Sequence, residues 1–140
     1  MNLIPAYEAS KKKDTMKAVT RYRVLDSKDS SAALLEIYPE TGVKHQIRCH
    51  LGLGLGTPII GDHKYSHNDS MKPQRLPPSV LTSLGLRQAK VRTVPLHLHA
   101  AKVVLPEFDD GQTVVICAKP PKHFIDTCRR LKLKIPFISQ

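Results

Sequence analysis

No apolar run in this 140-residue chain approaches the ~18 residues that a membrane helix needs. The longest, such as residues 51–55, are short and interrupted by glycine. Residues 1–9 lack the basic region and long apolar stretch of a secretory signal, so secretion is not expected. They make a poor mitochondrial presequence as well, since arginine is missing until Arg21 and Glu8 and Asp14 come early. Cysteine is sparse: Cys49, Cys117 and Cys128 form no CxxC pair, and an odd, scattered count points to a reducing compartment rather than a disulfide framework. Internal repeats are absent. Acidic residues are few, 12 against 22 Lys and Arg, which leaves a formal net charge of +10.

What is present is a hydrophobic share of 41%, enough for a core and too much for wholesale disorder. The length suits one domain or part of a larger one. The charge is uneven. Residues 1–70 hold 10 basic and 8 acidic residues, and residues 71–140 hold 12 and 4. An excess of that size in the second half favours a polyanionic partner, nucleic acid before an anionic membrane; the plainer reading is a solvated basic surface without a ligand.

Residues 1–17, polar and closing on Lys11-Lys12-Lys13-Asp14, are expected as a flexible N-terminal segment, with 18–140 as the folded part. Over 18–25, Thr20, Tyr22 and Val24 alternate with Arg21 and Arg23, the pattern of a strand with one wet face. A polar turn over 26–31 leads to a second strand over 32–38, with Ala33, Leu35 and Ile37 on one side, and the two make a hairpin. Over 43–55, Ile47, Leu51 and Leu55 recur at i, i+4 and i+8 and predict a helix with Thr41 as its cap. The proline-rich stretch at about 67–93 is expected as a long basic surface insertion with a short helix over 79–88. Residues 96–105 predict a strand and 113–118 its antiparallel partner across Asp109-Asp110-Gly111. Pro120-Pro121 opens a last helix with Phe124, Cys128 and Leu131 on one face and Lys122, Arg129 and Arg130 on the other. Hairpins with helices make the class α+β.

Three segments carry chemistry. In Thr41-Gly42-Val43-Lys44-His45-Gln46-Ile47-Arg48, the guanidinium of Arg48 lies beside the apolar stripe and needs a carboxylate, a phosphate or backbone carbonyls as partner. Pro58-Ile59-Ile60-Gly61-Asp62-His63-Lys64-Tyr65 reads as an apolar strand ending in a turn. In Leu96-His97-Leu98-His99-Ala100, His97 and His99 share one face of a strand. They could bind a metal with a third ligand from His45, His50, His63 or Cys49, or be polar packing residues near a nucleic-acid surface.

Taken in order, Thr-Gly-x-Lys-His-Gln-Ile-Arg, Pro-Ile-x-Gly-Asp-x-x-Tyr and Leu-His-Ala resemble the RluA-type RNA pseudouridine synthases over about residues 19–118, most closely the animal mitochondrial members. The resemblance implies the C-terminal part of the synthase domain, with a mainly antiparallel mixed sheet and flanking helices. It implies isomerisation of uridine in structured RNA (rRNA, tRNA or mRNA) to its C-glycoside. The base is flipped into a pocket and attacked by an aspartate, without metal or organic cofactor. Arg48 takes the place of the arginine that pairs with that aspartate, and Leu98 that of an apolar pocket wall. The RNA-facing candidates are Lys44, His45, Gln46, His97, His99, Lys122, Arg129 and Arg130. The family's His-Arg-Leu-Asp segment, which carries the nucleophile upstream of these motifs, does not occur among the 140 residues; Arg23-Val24-Leu25-Asp26 imitates it without the histidine. Val43 stands where the family usually has arginine. These residues alone are therefore expected to supply one wall of the site and to lack activity. The partner implied is RNA, with no membrane and no obligate protein partner, and the compartment the mitochondrial matrix, with nucleus or cytoplasm as the alternative. The competing readings are a non-catalytic RNA-binding module and, behind it, a histidine-based metal protein.

Overall fold

Strands β1 (Thr20–Lys28) and β2 (Ala32–Pro39) form the expected hairpin, Thr20 opposite Pro39 and Lys28 opposite Ala32. These elements come from a computed structural model, which describes residues 3, 14–67 and 72–136. Most of the expected N-terminal segment 1–17 lies outside the described residues. The pairing register shifts between Val24 and Asp26. An extra residue in one strand resets the alternation beyond it. Before the shift Tyr22 and Val24 are about half exposed; after it Leu25 packs against the core. On β2 the buried residue is Leu34, out of phase with the Ala33, Leu35, Ile37 face. The reading of β1 as a strand with one dry face is thus corrected: the core lies only under the turn end of the hairpin.

The helix predicted over 43–55 is shorter and of two kinds. Helix α1 covers Gln46–Cys49 and runs on as a π-helical turn over His50–Gly54, where Leu55 N donates to His50 O at 3.0 Å. A π turn widens the spiral and rotates the residues beyond it. The stripe therefore breaks: Leu51 is buried, Ile47 half-buried, and Leu55 exposed. Thr41 does not cap the helix. Its hydroxyl accepts from Val19 N and donates to the Gln46 side chain.

Helix α2 (Pro78–Leu84) starts on proline, whose fixed φ suits a first helical turn, and stops at Gly85 with φ 65°. A 3₁₀ turn comes next, over Gln88–Thr93. Leu76, Val80, Leu84 and Val91 from this stretch join Leu34, Cys128, Leu131 and Leu133 in the core cluster. Half of that cluster thus comes from the stretch expected as a surface insertion, and that expectation is corrected. Leu76, Val80 and Leu84 lie four apart, a helical stripe that the surrounding prolines and basic residues obscure.

Strands β3 (Lys102–Asp109) and β4 (Gln112–Cys117) make a second antiparallel pair, separate from the first. The described strands thus form two two-stranded sheets rather than one mixed sheet. Residues 96–101, expected within a strand, have no regular structure, nor has Pro95 before them. Helix α3 (Lys122–Arg130) buries Cys128 and half-buries Phe124, with buried Leu131 just beyond, as its spacing predicts.

Two glycines show how tightly the middle of the chain is drawn together. A Cβ on Gly52 would overlap the carbonyl oxygen of Tyr65, and one on Gly61, at φ 84°, would overlap that of Pro95. Gly111 has a similar φ of 80° but open space around it. Gly111→Ala is expected to cost about 1 kcal/mol from backbone strain alone, and Gly61→Ala about 3 kcal/mol or more. Urea unfolding of both variants checks this; equal losses would show that φ, and not the approach of Pro95, excludes a side chain at 61.

Candidate active site

Arg48 projects from α1 toward the segment after Ile60. Its Nε donates to Asp62 Oδ2 at 2.9 Å and its Nη2 to Oδ1 at 2.8 Å, the two-pronged geometry that a planar guanidinium makes with a carboxylate. The Asp62 side chain is 1% exposed and that of Arg48 21%. Asp62 Oδ1 also accepts the backbone N–H groups of Lys64 and Tyr65, at 3.1 Å each, which curls the chain after Gly61. Burial pushes the Asp62 carboxyl up, but the bonds from Arg48, Tyr65 and Lys64 outweigh it and hold its pKa below the usual value. The bond to Asp62 likewise raises Arg48. The family resemblance implies an upstream segment for the carboxylate partner of Arg48, and the sequence pattern shows Gly61-Asp62 only as a turn. The structure supplies a partner from within the chain. The signal for it is a carboxylate directly after Ile59-Ile60-Gly61, which needs a cation as much as Arg48 needs an anion.

Tyr65, itself buried, is the floor of the site. The Arg48 guanidinium lies 5.0 Å and the Lys64 Nζ 5.4 Å from its ring centre. Its hydroxyl bonds His45 Nδ1 at 2.7 Å. His45 holds φ at 57°, which turns the chain into α1. Burial, then the nearby Arg48, Lys64 and Lys44, pulls the His45 pKa below its ordinary value.

Gln46, expected on the RNA surface, is buried and fully engaged inside. Its Nε2 donates to Val19 O and Thr20 Oγ1, and its Oε1 accepts from Val43 N and the Thr41 hydroxyl. That uses both amide protons and both lone pairs, so Gln46 ties β1 to α1 and its assignment as an RNA contact is corrected. His97 changes role too. Its backbone N–H donates to Ile60 O at 2.9 Å, its ring bonds Pro95 O at 2.7 Å and Thr127 Oγ1 at 2.8 Å, and it packs on Phe124 and His123. Burial lowers its pKa. It is a joint between the 95–101 segment and α3. His99 bonds Ala118 O at 3.0 Å and also faces Phe124. Among the described residues, no group of three His, Cys, Asp or Glu side chains is arranged to hold a metal ion. Leu98 lies between the two histidines, 37% exposed. Lys44, Lys122, Arg129 and Arg130 are exposed. Lys122 and Arg129 both bond Asp126, and Arg130 Nη1 donates to Leu84 O at 2.8 Å.

Asp62→Asn keeps the shape but leaves Arg48 facing a neutral amide, and is expected to destabilise the chain by about 3 kcal/mol. The pH dependence has a definite sign. Because the folded-state pKa is depressed, the Asp62 contribution is complete above the ordinary carboxyl value of 3.8 and is lost as pH falls below it. Denaturation of both forms from pH 7 to pH 3 should show the stability gap narrowing only at the acid end. A gap that widens on acidification would contradict the assignment.

Residues 4–52 match the family described as RNA pseudouridylate synthase. The chain is 48% identical over 119 residues to the zebrafish (Danio rerio) protein named pseudouridylate synthase RPUSD4, mitochondrial, covering 85% of this chain and 33% of that one. It is 42% identical over 145 residues to the human (Homo sapiens) protein of the same name, covering 97% and 38%. A solved structure titled human RNA pseudouridylate synthase domain containing 4 superimposes with a TM-score of 0.79 at 46% identity, over 85% of this chain and 44% of that one. The chain thus spans about a third of the length of the curated relatives it matches. With the three motifs drawn together around Arg48 and Asp62 on a matching fold, the chain belongs to the RNA pseudouridylate synthase family, as the C-terminal region of the synthase domain.

Proposed function

We propose that this chain supplies one wall of the uridine site of an RNA pseudouridine synthase, an isomerase that turns uridines of structured RNA into their C-glycosides. The observation that carries the proposal is the convergence of the three motifs. Arg48 of the first grips Asp62 of the second, and Ile60 of the second is bonded by His97 of the third. Motifs far apart in sequence that meet at one buried ion pair are the arrangement a site requires, and identity to synthases over most of the chain supplies its chemistry. The relatives' names support a mitochondrial location.

In this reading Asp62 is not the nucleophile. Both its oxygens are engaged, and a side chain 1% exposed offers no approach to a nucleoside. It orients Arg48 instead. A guanidinium has five N–H donors, and the pair with Asp62 uses two, leaving donors for a second carboxylate. That second carboxylate is the aspartate of the family's His-Arg-Leu-Asp segment, which Arg48 would keep ionised in a partly dry pocket. No step calls for a metal or an organic cofactor.

The absence of that segment from these 140 residues favours a second reading for the chain taken alone, an RNA-binding module without catalysis. Both readings are tested together with RNA labelled with tritium at carbon-5 of uridine. The 140-residue chain is expected to release no tritium above background. It is expected to bind the RNA with a log–log salt slope of roughly −0.7 for each phosphate neutralised on single strands. Release above background would overturn the assignment of the nucleophile to another segment. Affinity that stays flat between low and moderate salt would overturn the RNA surface.

A further inference from the structure

We propose that Lys44, His45 and Lys64 form a phosphate site at the rim of the Arg48–Asp62 pair, gripping one phosphodiester of the RNA next to the nucleotide in the site. The proposal rests on the synthase reading for the identity of its ligand, and on geometry for its place.

The three residues come from two motifs; His45 and Lys64 meet on one buried ring, and Lys44 stands beside His45. His45 reaches the Tyr65 hydroxyl at 2.7 Å, and the Lys64 Nζ lies 5.4 Å from the ring centre. Lys44 precedes His45 in the turn that the His45 φ of 57° creates. Lys44 and Lys64 are both exposed, and among the described residues neither has a carboxylate partner. Other exposed cations, such as Lys90 and Lys119, share that lack; what sets Lys44 and Lys64 apart is that both lie close to His45, beside the buried ion pair. Arg21 pairs with Glu40, Arg23 with Glu36, and Lys122 and Arg129 share Asp126. Arg48, the remaining cation of the cluster, is held by Asp62 and faces the ring, so the two lysines carry the unanswered charge.

His45 completes the site as a directional donor. When the Tyr65 hydroxyl donates to its Nδ1, Nε2 carries the proton and can donate to a phosphate oxygen. The groups that face His45 are Arg48, Lys64, Lys44 and Asp62, with Tyr65 in contact: three cations against one carboxylate. Without a ligand they disfavour a charged imidazole. A phosphate bound among them reverses that balance, so occupancy and His45 protonation promote each other. The division of labour is physical. A multidentate guanidinium suits the buried carboxylate, and flexible ammonium groups suit a phosphate that arrives and leaves.

The test uses the labelled 140-residue chain, with the His45 ring signals read by NMR during titration with inorganic phosphate and, separately, with a short single-stranded uridine oligonucleotide. Both ligands are expected to move the His45 signals and to raise its titration midpoint. Lys44→Gln and Lys64→Gln are each expected to weaken oligonucleotide binding about fivefold, as for loss of one near-contact charge pair in water, and to flatten the log–log salt slope by about 0.7. Lys122→Gln, whose lysine already has Asp126, should change both far less. The site is overturned if neither ligand moves His45, or if the Lys44 and Lys64 variants lose no more than Lys122→Gln. A response to inorganic phosphate but not to the oligonucleotide overturns RNA as the ligand. These readouts do not depend on isomerisation, so such a failure leaves the synthase reading standing, whereas failure of that reading would show as no RNA binding by any form.

Discussion

Asp62 is the one carboxylate buried among the described residues, and the surroundings of the site are arranged to answer it. A buried carboxylate without partners is too costly to keep ionised, so the cation and the N–H groups around it are obligatory. Arg48 has to arrive from α1 with its guanidinium in plane. The backbone of Lys64 and Tyr65 has to curl back toward Oδ1. Gly61 has to pass beneath Pro95 without a side chain. Each requirement narrows the path of the chain, and together they place Tyr65 where Arg48, Lys64 and His45 meet.

From that pair a series of polar joints runs through the molecule. Gln46 fastens α1 to the start of β1, with His50 bonded to Thr20 beside it. Gln74, also buried, spans Gly61 N and Ile59 O and fixes the segment before Asp62, which is irregular and not the strand its apolar residues suggest. His97 links Ile60 to α3 through Thr127. The aliphatic core of α2, the 3₁₀ turn, α3 and Leu34 lies to one side of these joints. The site is therefore held by satisfied polar contacts on one side and by packed apolar side chains on the other. That suits a pocket wall, which has to be rigid without being apolar throughout. The cations differ as well: Arg48 is fixed by its carboxylate, while Lys44 and Lys64 are exposed and have no carboxylate partner among the described residues.

Much of this was legible in the sequence. Both hairpins, the closing helix with Phe124, Cys128 and Leu131 and the α+β class came from alternation, turn residues and spacing, which depend only on neighbours along the chain, while the three motifs came from residue identity and the family resemblance it carries. The need of Arg48 for an anion was legible too, because a guanidinium at a buried edge requires one whatever the fold. The errors fell where distant segments decide. The register shift in β1 moved the dry face, the π turn after Cys49 turned Leu55 outward, and the proline-rich 67–93 stretch entered the core because its sparse leucines and valines meet Leu34 and Leu131.

The sequence by itself determined the three motifs and the need of Arg48 for an anion, since the order of the motifs and the residue types within them are written in the chain. Only the tertiary structure decided what each of those residues does. Gln46 and His97 read as RNA contacts but are structural joints, and Asp62 read as a turn but is the partner of Arg48. The physical reason is that polar side chains are assigned by the partners they meet across space. Burial makes those partnerships compulsory, and no local pattern records which segment will be folded against which.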